Sequence, residues 1–453
     1  MRKEDRERRL FEETPVFRAV LNLAFPTVIG QIILVIYNMA DTFFVGRINT
    51  SASGAVGVIF SAMAMIQAIA FTIGIGSRAN MSQCLGAKNR EMAERYVSLG
   101  FFTALLTGTV LGALALVFID PLVRLLGATE TIAPYARAYA TYIFYATPFI
   151  MSSFVMNNLL RFQGLAAYAM VGMTTGGLLN IALDPLLIFT LGLGTAGAAI
   201  ATAISQFVSF CILLYMSNSR KDTIHISLKK LKPTGRMVGR MLYTGLPSLG
   251  RQGVASVATI LLNRAAGLHG DSAVAAMSIV SRYTMFINSA VVGFGQGFQP
   301  VCAFCWGARQ YRRVREAFLF CVKVSTVILL VLAGISQLLS GSIVQFFRND
   351  PEVVEIGTLA LRLQLCTLPL WGLYTMSSMM TQSIGYGWRA MVIASARQGL
   401  FLIPLLLVLP NTLGLLGIQS AQPASDVLSF LLALLIVLPL LRRLKDESAG
   451  KTL

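Results

Sequence analysis

Apolar runs long enough to cross a bilayer alternate with short polar breaks along the whole chain. A hydrocarbon core of ~30 Å needs about 20 helical residues. Segments that satisfy this fall near residues 17–45, 52–78, 92–118, 133–160, 166–190 and 194–217. After a longer polar stretch they resume near 239–268, 272–300, 313–340, 354–384, 388–410 and 413–442. The pattern predicts an all-α integral membrane protein with twelve transmembrane helices and no separate soluble domain.

The second six spans repeat the first. A shift of 221 positions carries Pro26 to Pro247, Gln31 to Gln252, Gly74 to Gly295 and Gly76 to Gly297. It also carries Gly86-Ala87 to Gly307-Ala308, Lys88 to Arg309, Pro148 to Pro369 and Gly164 to Gly385. A run of matches this long at one shift marks an internal duplication. Six is even, so both copies have the same orientation and are related by a pseudo-twofold axis along the membrane normal. The predicted organisation is a first lobe over 1–217, a basic linker over 218–238 and a second lobe over 239–453. Two such lobes suit alternating access by rocking about a central site.

Charge settles the orientation and removes one class of partner. The chain is 13% charged and 55% hydrophobic, with mean hydropathy +0.70, which is too apolar for a soluble surface. Its net charge of +17 sits in the connections. Arg2, Lys3, Arg6, Arg8 and Arg9 open the chain, and Lys88, Arg90 and Arg95 follow span 2. Arg220, Lys221, Lys229, Lys230, Lys232 and Arg236 form the linker. Arg309, Arg312, Arg313 and Arg315 follow span 8, and Arg442, Arg443 and Lys445 close the chain. All lie on one face. Opposite connections such as Asn49–Gly54 and Leu191–Thr195 are short, with Arg47, Arg124 and Arg348 as exceptions. The positive-inside rule places both termini in the cytoplasm of a cell whose plasma membrane holds the protein. No soluble module presents the cations to nucleic acid. No cleavable signal peptide is visible. The six cysteines, Cys302-x-x-Cys305 included, read as packing residues.

The departures from symmetry carry the chemistry. The first half has intramembrane carboxylates at Asp41 and Asp184. Their counterparts in the second half are Leu262, with Asn263 beside it, and Ile403-Pro404. At ~1.5 Å per residue, Asp41, Asp184 and Thr202 lie about 6, 9 and 12 Å from the outer ends of spans 1, 5 and 6. Asn180 is one turn below Asp184, on the same face. Tyr37 and Asn38 are one turn below Asp41, and Tyr139 is shallow enough in span 4 to join them. Carboxylates at membrane depth cost at least ~2.5–3.5 kcal/mol and are rarely idle. Two of them ringed by neutral oxygens suit H⁺ or Na⁺. The rival reading makes each a helix cap or a structural hydrogen bonder. Asp426 is the rival coupling acid of the second half, with Arg397 as its candidate partner. Pro26 interrupts span 1 and either fixes a kink or serves as a hinge. Gln31, Asn157, Asn158 and Gln163, with Met151 and Met173 among the 19 methionines, are the candidate substrate-pocket residues, since Met adapts to varied apolar shapes.

Tyr37-Asn38-Met39-Ala40-Asp41, Asn180-Ile181-Ala182-Leu183-Asp184-Pro185 and the paired Gly86-Ala87-Lys88 and Gly307-Ala308-Arg309 loops resemble signatures of the multidrug and toxic compound extrusion (MATE) transporters, prokaryotic DinF-like branch. The resemblance covers nearly the whole chain. It implies two six-helix lobes in a V and efflux of organic, often cationic compounds driven by H⁺ or Na⁺. It also implies a coupling site at Asp41, Asn180, Asp184 and Thr202, supported by Tyr37 and Tyr139, and a span-1 bend at Pro26. The expected partners are small organic substrates, the coupling cation and the bilayer, with no cofactor, and the chain is expected to act as a monomer. The polar Gln422-Pro423-Ala424-Ser425-Asp426 stretch departs from the family pattern. A lipid-linked saccharide flippase of the same superfamily is the alternative, although such proteins usually have more spans and a strongly cationic lumen. A membrane-embedded enzyme is the reading from another class. The chain has no His-Glu-x-x-His and no Gly-x-Ser-x-Gly, and His225 and His269 both fall in connections.

Overall fold

The structure is a computed structural model that describes residues 9–219 and 223–448. Arg2, Lys3, Arg6 and Arg8 of the tail and Arg220 and Lys221 of the linker lie outside the described residues, as does the side chain of Asn38. Among the described residues there is no strand. The first half contains α1 (Val16–Gly46), α2 (Thr50–Gly86), α3 (Arg90–Val117), α4 (Ala133–Phe162), α5 (Ala166–Thr190) and α6 (Gly194–Ser219). The second contains α7 (Gly235–Gly267), α8 (Asp271–Gly307), α9 (Tyr311–Leu338), α10 (Pro351–Ser383), α11 (Gly387–Leu413) and α12 (Leu415–Ser448). All except α7 and α8 are long and apolar enough to cross a membrane. Those two have the length, 33 and 37 residues. Arg240, Arg251 and Arg264 in α7, and Arg282, Gln296 and Gln299 in α8, break up their apolar runs.

Side chains are distributed for lipid rather than water. Phe25, Leu106, Val117, Leu330 and Leu435 are exposed, whereas Asn180, Asp184, Thr202, Gln299 and Asp426 are buried. Hydrocarbon solvates the former, and intramembrane polar groups turn to the interior.

The duplication holds to the residue. The same shift of 221 superimposes the ends of α2 and α8 at Gly86 and Gly307, and the starts of α3 and α9 at Arg90 and Tyr311. It aligns the short helices Ile119–Leu125 and Ser340–Phe347, and the starts of α5 and α11 at Ala166 and Gly387. Turn geometry repeats as well. Lys88 and Arg309 both adopt left-handed backbone, with φ of 58° and 57°, a C-terminal stop that glycine usually supplies. After Lys88, the Asn89 side chain accepts from the Met92 amide at 3.1 Å and starts α3.

Two compact units result. One takes the residues up to Thr14 and Leu21–Gly245, and the other takes Pro15–Val20 and Leu246–Leu453. The boundary therefore falls inside α1 and α7, not in the linker. Phe17 packs on Phe320 of α9 at 6.3 Å between centroids. A Cβ at Gly245 would lie 1.9 Å from the Thr72 carbonyl oxygen of α2. The linker lies on the first unit: the Ile224 amide donates to Gln163 Oε1 at 2.7 Å, and Lys230 pairs with Glu94 at 2.9 Å. In that unit α4 is the central helix, packed on α2, α3 and α6 and buried along most of its length. In the other, α10 packs on α8, α9 and α12.

Candidate ion-coupling site

Four helices of the first unit bring the predicted polar residues together. On α5, Asn180 and Asp184 follow one another on one face, and Pro185 denies the Ile181 carbonyl its usual donor. The helix then loosens into one π turn, Leu186–Thr190, a distortion often found at functional sites. The first turn of α6 lies against this turn because Gly197 has no side chain. A Cβ there would lie 2.7 Å from the Leu187 carbonyl oxygen.

This approach sets Thr202 of α6 opposite Asn180, whose Nδ2 donates to Thr202 Oγ1 at 3.2 Å and reaches Asp184 Oδ1 at 3.5 Å. From α1, Asp41 lies within electrostatic reach of Asp184 and is hydrogen-bonded by the Tyr139 hydroxyl of α4. Tyr37, one turn below Asp41, faces both acids and bonds with the Gln206 side chain. Asp184, Asn180, Thr202, Tyr139 and Tyr37 are buried, and Asp41 is partly so. Three oxygens of the cluster, Asp41 Oδ1, Asn180 Oδ1 and Asp184 Oδ2, are buried with no hydrogen-bond donor. Among the described residues no group of three His, Cys, Asp or Glu could hold a metal ion. The cluster is a two-carboxylate site completed by neutral oxygens, the donor set that a proton or an alkali cation requires.

Beneath it is a cavity with room for roughly three water molecules. Tyr37, Asn157, Met173, Gln206 and Ser209 contribute to its lining. Of the candidate pocket residues, Asn157 and Met173 are there, and Asn157 Nδ2 also donates to the Ala169 carbonyl at 2.9 Å. Gln31, Met151, Asn158 and Gln163 do not line it. Met151 is fully buried. Asn158 Oδ1 accepts from Arg78 and, at 2.9 Å, from Arg161, and Gln163 holds the linker. Pro26 lies within α1, which remains one helix across it.

Sequence reasoning missed Gln206, with Ser205 and Ser209. The signal was present: Thr202, Ser205, Gln206 and Ser209 form a polar stripe at helical spacing along α6.

Asp426 of α12 has a different setting. Its Oδ1 accepts from Arg397 Nε at 2.6 Å and Gln422 Nε2 at 3.2 Å. Its Oδ2 accepts from Gln364 Nε2, from Thr367 Oγ1 at 3.0 Å and from Trp371 Nε1 at 2.9 Å. The Arg397 guanidinium also lies 3.7 Å from the Trp371 ring centroid. All three contributing helices are irregular at this level: α10 has a 3₁₀ turn at Leu368–Leu370, α11 a π segment at Ala396–Phe401 and α12 Pro423. Cys302 and Cys305 are buried thiols outside any disulfide, the setting of packing residues.

Comparison with known proteins agrees with this architecture. The MatE family model matches residues 26–186 and 247–408, the two copies of the repeat. Multidrug export protein MepA of Staphylococcus haemolyticus (strain JCSC1435) is 28% identical over 441 residues, covering 97% of each chain. MepA of Staphylococcus aureus (strain NCTC 8325 / PS 47) is 28% identical over 442 residues with the same coverage. A solved MATE structure in the bent conformation superposes with a TM-score of 0.91 at 27% identity, over 98% of this chain and 99% of that one. A MOP superfamily transporter from Pyrococcus furiosus Vc1 (DSM3638), reported to have a binding pocket of reverse polarity, superposes at 0.90 and 26% identity, over 97% and 98%. With both halves matched and the polar interior that transport demands, the chain belongs to the MatE family and is a multidrug efflux transporter, not an enzyme.

Proposed function

We propose that the chain exports small organic molecules, often cationic, in exchange for H⁺ or Na⁺ taken up at Asp41 and Asp184. The carrying observation is the set of three buried acceptor oxygens without donors on Asp41, Asn180 and Asp184. An unsatisfied buried acceptor costs about 1–3 kcal/mol, and more when charged. A proton converts one carboxylate into a donor, and a cation satisfies several oxygens at once. Asn180, Thr202, Tyr37 and Tyr139 shape the cluster, and Pro26 supplies the place where α1 yields when Asp41 changes charge. The motif matches support the DinF-like branch. The distribution of Lys and Arg supports a plasma-membrane protein with both termini in the cytoplasm. One unit of pH gradient supplies ~1.4 kcal/mol, and one charge through 100 mV supplies ~2.3 kcal/mol. Together they sustain roughly several hundredfold accumulation, enough for detoxification by a monomer.

The test is substrate transport by the purified protein in liposomes with pH and Na⁺ gradients imposed separately. Transport should follow one of the two gradients and vanish in Asp41→Asn. Equal transport without either gradient would refute antiport.

A further inference from the structure

The linker is strapped along the flank of the first unit. Thr223 Oγ1 donates to the Ser217 carbonyl at 2.7 Å, and the Ile226 amide donates to Asn218 Oδ1 at 2.8 Å, both at the end of α6. The Ser227 amide donates to Ser98 Oγ of α3 at 3.2 Å, and Lys230 pairs with Glu94 of the same helix. Ile226 packs on the buried cluster that includes Phe101 of α3 and Leu213 of α6.

These contacts set a depth. With 28 residues, α3 is about 42 Å long. The hydrocarbon core is ~30 Å thick, which leaves about 6 Å of each end among the headgroups. Glu94, about 6 Å from the start of α3, marks that boundary, and Ser98 lies one turn inside it. Leu228 follows the residue bonded to Ser98 and precedes by two the residue bonded to Glu94, yet it is 72% exposed. Tyr215 of α6 is 66% exposed about 6 Å before the end of its own helix, the position of an interfacial aromatic. An apolar side chain held outward at this level is solvated by acyl chains.

The charges beside it are uncommitted. Lys229, Lys232 and Arg236 are exposed. Among the described residues no carboxylate pairs with any of them, and Lys230 alone of the group is neutralised. A cytoplasmic loop that obeys the charge bias of membrane proteins needs its cations only in water. Cations flanking a leucine fixed at the hydrocarbon edge are instead the pattern of an interfacial anchor, and their long stems let the charged ends reach phosphates.

We propose that residues 228–236 form a lipid-recognition site, in which Leu228 enters the acyl layer and Lys229, Lys232 and Arg236 receive the phosphate of an anionic phospholipid. The site selects a phospholipid of net negative charge over a zwitterionic one, because the amine of the latter opposes the three cations. This goes beyond the efflux reading and requires only that the first unit spans a bilayer.

The experiment uses the full-length transporter in liposomes of phosphatidylcholine with a minority of phosphatidylglycerol. Leu228→Trp places a reporter at the site, and bromine on the acyl chains of one lipid or the other quenches a tryptophan that touches it. Subtracting the wild-type signal removes the contribution of the three native tryptophans. Both brominated lipids should quench, phosphatidylglycerol beyond its share of the bilayer. Adding Lys229→Gln and Lys232→Gln should lower the preference for phosphatidylglycerol by roughly fivefold or more, whereas Lys229→Arg with Lys232→Arg should keep it. All the substituted side chains are exposed, so the fold is not at stake. Absence of quenching by either lipid, quenching in proportion to composition, or a preference unchanged by the glutamine pair overturns the proposal. So does abolition of the preference by inorganic phosphate at constant ionic strength, which would make the site one for a soluble anion.

Discussion

Asp184 and Asp426 are both buried acids in membrane helices, yet their surroundings are opposite. Asp426 accepts from five donors, one of them a guanidinium stacked on Trp371. Asp184 has one oxygen with no donor, a second only 3.5 Å from an amide, and another carboxylate within reach. A saturated carboxylate has nothing to gain from a further cation, because its Coulomb energy and lone pairs are already used. An undersatisfied pair gains from every proton or ion it captures. Counting donors distinguishes the two acids: one is saturated and the other is not.

The contrast can be broken most severely at the first pair. Asp41→Asn or Asp184→Asn should reduce drug resistance to the level of cells lacking the transporter while membrane abundance is unchanged, as read by growth inhibition and immunoblotting. Asp426→Ala should instead act on folding. Removing one partner of a buried ion pair costs about 3–5 kcal/mol, visible as a large fall in melting temperature by fluorescence-detected size exclusion. Replacing both partners, as Arg397→Met with Asp426→Leu, should recover most of that loss, because a well-packed apolar pair needs no counter-charge. Gly197→Ala should have an intermediate effect of about 1–3 kcal/mol, since its Cβ would fall 2.7 Å from the Leu187 carbonyl oxygen. It should also impair transport by displacing the turn after Asp184. Thr202→Val should be mildest. It removes the acceptor used by Asn180, a loss of about 1 kcal/mol that should weaken the apparent affinity for the coupling ion several-fold. If Asp426→Ala abolished transport with an unchanged melting temperature, the distinction between the two acids would collapse.

Much of this was legible from the chain alone. Span positions follow from apolar run length, and the shift of 221 fixed the corresponding helix ends because turn residues such as Gly164 and Gly385 constrain both halves alike. Depth along spans 1, 5 and 6 sufficed to place Asp41, Asp184 and Thr202 together. The donors to Asp426 were not legible beyond Arg397. Gln364, Thr367 and Trp371 share a face of α10 only through its 3₁₀ turn, which local sequence does not register. Asn158 and Gln163 were polar and in span 4, as a pocket residue would be. Their partners, Arg78, Arg161 and the Ile224 amide, come from segments that only folding brings near. The pattern gave polarity, and it could not say which polar groups already had company.

The first helix of each half changes allegiance along its length. Val16–Val20 of α1 belongs with the second unit and the rest with the first, while Gly235–Gly245 of α7 belongs with the first and the rest with the second. Pro26 and Pro247 follow these crossings. The exchange is reciprocal, so cutting the chain within 218–238 would leave each fragment holding a strut of the other. Neither fragment is then a self-sufficient domain. Co-produced, the two should complement in trans as a split protein.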